Sequence, residues 1–299
     1  MLKIGFIGAG KVGTALAVLL SRKGYEYVGA SRRNKTASGS KSRLISNLRI
    51  LKNNQEVADS AEIVFITTPD DAISKVAAEV HWHKGQSVVH CSGADSVGIL
   101  EPARKSGALV GSFHPLQTFA GVEQAIENIP GSTFAIEAEE PLQTTLKKMA
   151  EDLGGNWIIL KADDKVAYHA AAVFASNYTV ALVKMATDLW NTFSIPTDQA
   201  TKALLPLIQG TLHNIETIGI PQCLTGPIAR GDKGTIRKHL NEIRKKAPEL
   251  LFPYKELGLQ TIPIALAKGK INKQQARELE MILRDKIIQG EDNENDVKK

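Results

Sequence analysis

The sequence predicts an α/β chain: a doubly wound, mostly parallel sheet followed by a second domain built from helices alone. Three observations carry that expectation. Short apolar runs alternate with helical patterns from Leu2 to Leu160; a glycine-rich turn directly follows the first run; and from Asp163 onward the chain reads as helices, the first of them free of Gly and Pro as far as Phe193. Composition agrees. With 299 residues, 43% hydrophobic and 23% charged, the chain is not disordered, collagen-like or a coiled coil, and its length suits two domains that each bury a core. Cys91 and Cys223 cannot build a disulfide framework, which suits a reducing compartment. The N-terminal run meets glycine too early for a signal peptide, and no apolar run approaches the roughly 18–20 residues of a membrane span. A soluble, cytoplasmic protein with no membrane partner is expected.

The elements follow in order. Leu2–Ile7 is an apolar run of the kind shown by a strand buried on both faces, and Gly8-Ala9-Gly10-Lys11-Val12-Gly13 comes straight after it. Thr14–Ser21 reads as a helix and Tyr25–Ala30 as the next strand, giving the strand, turn, helix, strand order in which G-x-G-x-x-G binds a dinucleotide. The first glycine permits the tight turn, the second lets backbone approach a pyrophosphate, and the third lets helix and strand pack closely. Residues Gly8 to Gly13 are therefore the expected cofactor cradle, with the pyrophosphate on the positive end of the helix.

The end of the second strand selects the dinucleotide. Where an NAD site usually carries an acidic residue, this chain reads Ser31-Arg32-Arg33, and guanidinium groups are natural partners of the 2′-phosphate of NADP. Those residues open an unusual stretch. Between Glu26 and Glu56 there is no acidic side chain, while Arg32, Arg33, Lys35, Lys41, Arg43, Arg49 and Lys52 are basic. A solvated basic face is one alternative. A nucleic-acid patch is a weaker one, with no interleaved aromatics beyond Tyr27, and no nucleic-acid partner is expected.

A short strand near Arg49–Lys52 comes next, then Glu62–Ile66 running into the turn Thr67-Thr68-Pro69-Asp70, which adds Thr67, Thr68 and Pro69 to the cofactor site, and a helix over Asp71–Val80. Gln86–His90 leads into Cys91-Ser92-Gly93, and Leu109–Phe113 into His114-Pro115; ligands in such sheets lie beyond these strand ends. Strands over Ser132–Glu137 and Trp157–Leu160, with a helix over Pro141–Leu153 between them, close the first domain at residues 1–161. Residues 162–290 form the helical domain and 291–299 a disordered polar tail. The helix over Asp163–Phe193 is apolar nearly all round, so other helices or a partner subunit should cover it. His81 and His83 lack a ligand cluster, no metal site is expected, and Cys91 reads as a small buried residue.

Taken together, the glycine turn, His90-Cys91-Ser92-Gly93, Phe113-His114-Pro115, Tyr168-His169 through Ser176-Asn177-Tyr178, and Leu224-Thr225-Gly226-Pro227 with Arg230-Gly231-Asp232 resemble a largely uncharacterised group. It is that of Rossmann-like predicted NADP-dependent oxidoreductases, described as similar to deazaflavin-dependent NADP reductases, and the resemblance runs from Met1 to about Leu283. It implies NADP(H) as cofactor and a homodimer formed through a helical domain like that of 6-phosphogluconate dehydrogenase and pyrroline-5-carboxylate reductase. It implies no particular substrate. Gly111-Ser112-Phe113-His114-Pro115 is also similar to the Gly-Ser-His-Pro turn of prephenate dehydrogenases, with Phe113 inserted. Carried over, Ser92 and His114 would orient a hydroxyl or carbonyl beside the nicotinamide, with His114 exchanging the proton; a plain strand-ending turn is the alternative.

In 6-phosphogluconate and β-hydroxyacid dehydrogenases a helical lysine stands four residues before an asparagine. Here Asn177 matches the asparagine, but position 173 is Val. Asn177 is then a substrate-orienting amide, and His169, seven residues before Ser176 on the same helix face, could replace the missing acid/base or be a core histidine. Ser176, Thr225 and Arg230 are candidate substrate contacts, the last two in a loop that equally suits a helix-connecting turn. The expected activity is hydride transfer to or from a small carbonyl, hydroxyl or imine compound between the domains. The alternatives are a non-catalytic NADP(H)-binding regulatory protein and reduction of NADP by a deazaflavin.

Overall fold

The computed structural model describes residues 1–32 and 49–284. Arg33, Lys35, Lys41 and Arg43 of the basic stretch, and the tail 291–299, lie outside the described residues. The chain divides into two compact units, Met1–Asn177 and Tyr178–Lys299.

In the first unit, β1 (Lys3–Ile7), α1 (Lys11–Arg22) and β2 (Glu26–Ser31) open the fold. They are followed by α2 (Asn54–Ser60), β3 (Ile63–Ile66), α3 (Asp70–Glu79), β4 (Ser87–His90), α4 (Glu101–Lys105) and β5 (Leu109–Leu116). Then come α5 (Val122–Asn128), β6 (Thr133–Ala138), α6 (Leu142–Asp152) and β7 (Asn156–Ile159). The strands make one sheet in the order β2-β1-β3-β4-β5-β6-β7, parallel throughout except where β6 runs antiparallel to β5. This is the doubly wound, mostly parallel architecture that the alternating pattern predicts.

Both faces of the sheet are covered, which is why β1 and β3 read as continuous apolar runs. On one face Phe6, Phe65, Phe113 and Phe134 pack in a row under α1, α5 and α6, with Phe113 and Phe134 stacked at 4.5 Å between centroids. On the other, Ile7, Val64, Ile66 and Val88 pack against Val57, Ile73, Val76 and Leu100. Phe113 is fully buried, so the residue that interrupts the Gly-Ser-His-Pro likeness is a core residue.

Two local expectations are corrected. The short strand near Arg49–Lys52 is a single parallel bridge from Ile50 to Ala30, because Asn53 caps α2 almost immediately by accepting from Glu56 N at 2.9 Å. His114 and Pro115 lie within β5 and do not end it: His114 is paired with Ala135 and Pro115 with Phe134 of the antiparallel neighbour.

The long helix is divided as well. A short 3₁₀ turn over Ala162–Asp164 leads into α7 (Lys165–Ala175), which ends at Ser176 with φ −111° and ψ −67°, and α8 (Asn177–Asn191) follows. The break falls where Ser176, Asn177, Tyr178 and Thr179 bring four poor helix formers together. By length and composition alone, the stretch Ala162–Asn191 is apolar enough to cross a membrane, which corrects the expectation that no apolar run approaches that length.

The second unit continues with α9 (Thr197–Ile218), α10 (Lys233–Lys246), α11 (Leu251–Ala267) and α12 (Lys273–Arg284). Its core is Ile228, Ile236, Leu240, Ile262, Leu279 and Leu283. Helices α7 to α9 instead leave much apolar surface exposed: Phe174 is 70% exposed, Val180 71% and Leu207 68%. Truncating the central aromatic, Phe113→Ala, is expected to cost about 3–5 kcal/mol, read as a lower urea midpoint with an unchanged slope.

Candidate functional site

The cofactor half of the site forms where the sheet changes direction. The chain moves outward from β1 to β2, then returns to place β3 on the other side of β1, and the crevice opens between the carboxyl ends of β1 and β3. Gly8 turns there at φ +111°, and its N–H and that of Ala9 donate to Ser31 O at 3.0 and 3.1 Å. Thr67 Oγ1 donates to Gly8 O at 2.6 Å and Thr67 N to Ile7 O at 2.8 Å, tying the two strand ends together.

The three glycines differ as the fingerprint requires. A Cβ on Gly8 would stand 2.8 Å from Thr67 and Thr68 backbone, and one on Gly13 would stand 2.2 Å from Thr67 Oγ1 and 2.4 Å from Gly8 O. At Gly10 the nearest atom is 4.0 Å away, so space remains for a ligand to reach the backbone. Gly10 offers no side chain to cap α1, and the first turn carries no acid, leaving the helix's positive end available to an anion beside Lys11 and Val12. Among the described residues Thr68 Oγ1, next to the exposed Pro69, is buried without a hydrogen-bond partner, which is the condition of a hydroxyl built to meet a ligand. A dinucleotide fits these residues.

At the end of β2, Ser31 is buried and its Oγ donates to Asn54 Oδ1 at 2.7 Å. The hydroxyl donates within the protein, and Arg32 follows it, half-buried at the strand terminus.

A second cluster forms at the carboxyl ends of β4 and β5. His114 Nδ1 and Tyr168 OH are hydrogen-bonded at 2.8 Å, and the His169 ring stands edge-on to His114 at 6.3 Å between centroids. Both imidazoles close over Gly93, where a Cβ would lie 2.8 Å from His114 Nε2 and 2.8 Å from His169 Cδ2. Gly93 is therefore required to be glycine by close approach. Burial, then the cation of Lys165 and the neighbouring His169, pull the His114 pKa down to about 4. Burial pushes that of Tyr168 up to about 12, so at neutral pH a neutral imidazole faces a protonated phenol.

Ser92 faces elsewhere. Its Oγ lies 2.9 Å from Asp70 Oδ2 and 3.0 Å from Asp95 Oδ2, and accepts from Ala94 N and Asp95 N. One hydroxyl proton is shared between two carboxylates, with His114 outside this set. His90, fully buried, accepts from Ser92 N at 3.2 Å, and burial followed by the Lys165 charge lowers its pKa to about 3. Burial raises the Cys91 thiol to about 12, which keeps it protonated.

Beneath these groups lies a residue that sequence reading passed over. Lys165 is 1% exposed, and its Nζ donates to Ser112 Oγ and to Ser92 O at 3.3 Å, 3.7 Å from Glu137 Oε2. Burial lowers its pKa while Glu137 and Asp95 oppose the shift. Tyr168, one turn on, was part of a recognised motif but not singled out; its spacing of three from Lys165 was the available signal. Ser176 and Asn177 are exposed. In the second unit, Thr225 and Arg230 are exposed, Gly231 turns at φ +68°, and Asp232 caps α10 by accepting from Thr235 N at 2.9 Å, so this loop does serve as a helix connection.

Comparisons with known proteins match the chain in two parts, the second of which begins within the first compact unit. A Rossmann-like domain matches residues 1–115, and a domain of unknown function, DUF2520, matches residues 132–261. No curated protein matches the chain. Among solved structures, a protein from Bacteroides fragilis provisionally described as an NADP oxidoreductase is 24% identical, covering 88% of this chain and 98% of its own, with a TM-score of 0.71. A protein from Thermotoga maritima is 26% identical over 89% of this chain and 99% of its own, with a TM-score of 0.68. The pyrroline carboxylate reductase of Plasmodium falciparum, solved with NADP bound, is 15% identical over 94% and 98%, with a TM-score of 0.60.

Neutral burial of His90 and His114 makes stability depend on pH. In the unfolded chain both rings titrate near 6.5, so between that pH and their folded values of about 3 and 4 the unfolded state binds more protons. Stability is present above pH 6.5 and falls as pH drops through about 4. Urea midpoints measured across that range should decline with acid, and His114→Gln should make the decline shallower.

Proposed function

We propose that this chain, a Rossmann-like domain continued into DUF2520, is an NADP(H)-dependent oxidoreductase acting on a small carbonyl, hydroxyl or imine compound. The observation that carries the reading is the crevice between β1 and β3, where an open Gly10, an uncapped helix terminus and an unpartnered Thr68 hydroxyl meet one ligand. The NADP-bound structure of a protein with the same fold supports it. Gly8, Ala9, Gly10, Lys11, Val12 and Gly13 hold the pyrophosphate, with Thr67, Thr68 and Pro69 across the crevice, and Arg32 with Arg33 binds the 2′-phosphate by charge-assisted bonds.

The cofactor, when bound, supplies or accepts a hydride. The protein's part is the proton. When His114 carries its proton on Nδ1, it donates to the Tyr168 oxygen and leaves the phenol proton free for the substrate oxygen or nitrogen. His169 borders the same space, and Asn177 and Ser176 orient the substrate. Ser92 acts through its turn, holding Asp70 and Asp95 in place. The exposed apolar residues of α7 to α9 are the surface on which a second copy of the chain docks, forming a homodimer.

Titration of the purified protein with NADPH and NADH tests the cofactor. NADPH should bind at least tenfold more tightly, and Arg32→Ala/Arg33→Ala should abolish the preference; equal affinities in the wild type would contradict the assignment. Once a substrate is found, Tyr168→Phe and His114→Ala should lower turnover by roughly 10²–10⁴-fold with NADPH affinity retained, as for loss of a positioned proton donor.

A further inference from the structure

Lys165 has an unusual set of partners. Its ammonium has three protons, and three acceptors surround it, each on a different element: Ser92 O in the turn after β4, Ser112 Oγ on β5 and Glu137 Oε2 on β6. Glu137 Oε2 also accepts from Val97 N at 3.1 Å, so the same carboxylate holds the segment beyond the Ser92 turn. Ser112 is register-paired with His90 on one side and with Glu137 on the other.

The spacing around this anchor matches the reactive cluster. Ser112 and His114 are two apart on β5 and share a face, about 6.6 Å along the strand. Lys165, Tyr168 and His169 lie at positions i, i+3 and i+4 of α7 and share a face, about 4.5–6 Å along the helix. Lys165 on Ser112 and Tyr168 with His169 on His114 are thus successive contacts of one helix face along one strand. A slip of one helical residue would turn the phenol about 100° away from the imidazole.

We propose that Lys165 is the positioning residue of the site: its buried ammonium fixes the register of α7 on β5 and so brings Tyr168 and His169 against His114. The role rests on reading that cluster as the reactive one, but the contact it explains is present without cofactor or substrate. His114 is faced by His90 on β4 and by Lys165, Tyr168 and His169 on α7, while Glu137 of β6, Asp95 and Cys91 face the ammonium. Loss of the cation therefore acts on the imidazole in two ways, by removing a repelling charge and by releasing the Tyr168 contact.

The test is a titration of His114 by NMR in histidine-labelled protein without cofactor, its signal identified by its loss in His114→Gln. Lys165→Met/Glu137→Gln removes both charges and leaves neither buried and unpaired; Ser112→Ala removes one acceptor and keeps both charges. In the double variant the His114 titration should move up by at least one pH unit and its proximity signal to the Tyr168 ring should vanish. In Ser112→Ala the same signal should weaken with a smaller upward shift. A folded double variant with titration and ring contact unchanged would overturn the proposal; should that variant not fold, an unchanged Ser112→Ala would do so. NADPH titration of the same variants reads the β1–β3 crevice separately, so failure of cofactor binding and failure of the anchor give different results.

Discussion

The buried ammonium of Lys165 is the interaction on which the reactive end of the first unit depends. Taking a lone lysine out of water costs several kcal/mol, and the cost is offset only when the charge is paired and its protons are bonded. Here the three acceptors come from the β4 turn, β5 and β6, so satisfying the charge obliges those three elements and α7 to meet at one point. The same charge, with burial, holds His90 and His114 neutral. Removing it would leave Glu137, 12% exposed, without its cation, a larger loss than that of a surface ion pair.

The cofactor crevice rests on a different kind of constraint. Among the described residues no charge is fully buried there; closeness of backbone to backbone sets the geometry. Gly8 and Gly13 are held against Thr67 at distances that admit no side chain, and the small gap left at Gly10 is the part that a ligand fills. Steric necessity builds the nucleotide end and electrostatic necessity the proton end. Both lie on the carboxyl side of the parallel strands, as an open α/β sheet requires.

This difference explains what was legible in the sequence. The glycine turn was readable because its constraint is local: three glycines, a strand before them and a helix after. The doubly wound sheet was readable because burial on both faces makes each strand an unbroken apolar run. Lys165 was not readable, since its partners lie 28 to 73 positions away and nothing near it in the chain distinguishes it from a surface lysine. Ser92 and His114 were found by likeness to another family's turn, but the shared hydroxyl of Ser92 and the pairing of His114 within β5 depend on Asp70, Asp95 and an antiparallel neighbour. The break at Ser176 was not read, since the absence of Gly and Pro suggests one continuous helix; the run of poor helix formers from Ser176 to Thr179 is the signal for it. Part of the basic stretch, Arg33 included, lies outside the described residues, so its reading as a phosphate site rests on Arg32 and on residue chemistry.

The most direct measurement is native-state hydrogen exchange over α7 and the Ser92–Asp95 turn in wild type and Lys165→Met. The expected result is lost protection in Lys165–Ala175 and in that turn, with β1 and β3 protected as before. Equal protection of α7 in both proteins would contradict the anchoring role of the buried ammonium.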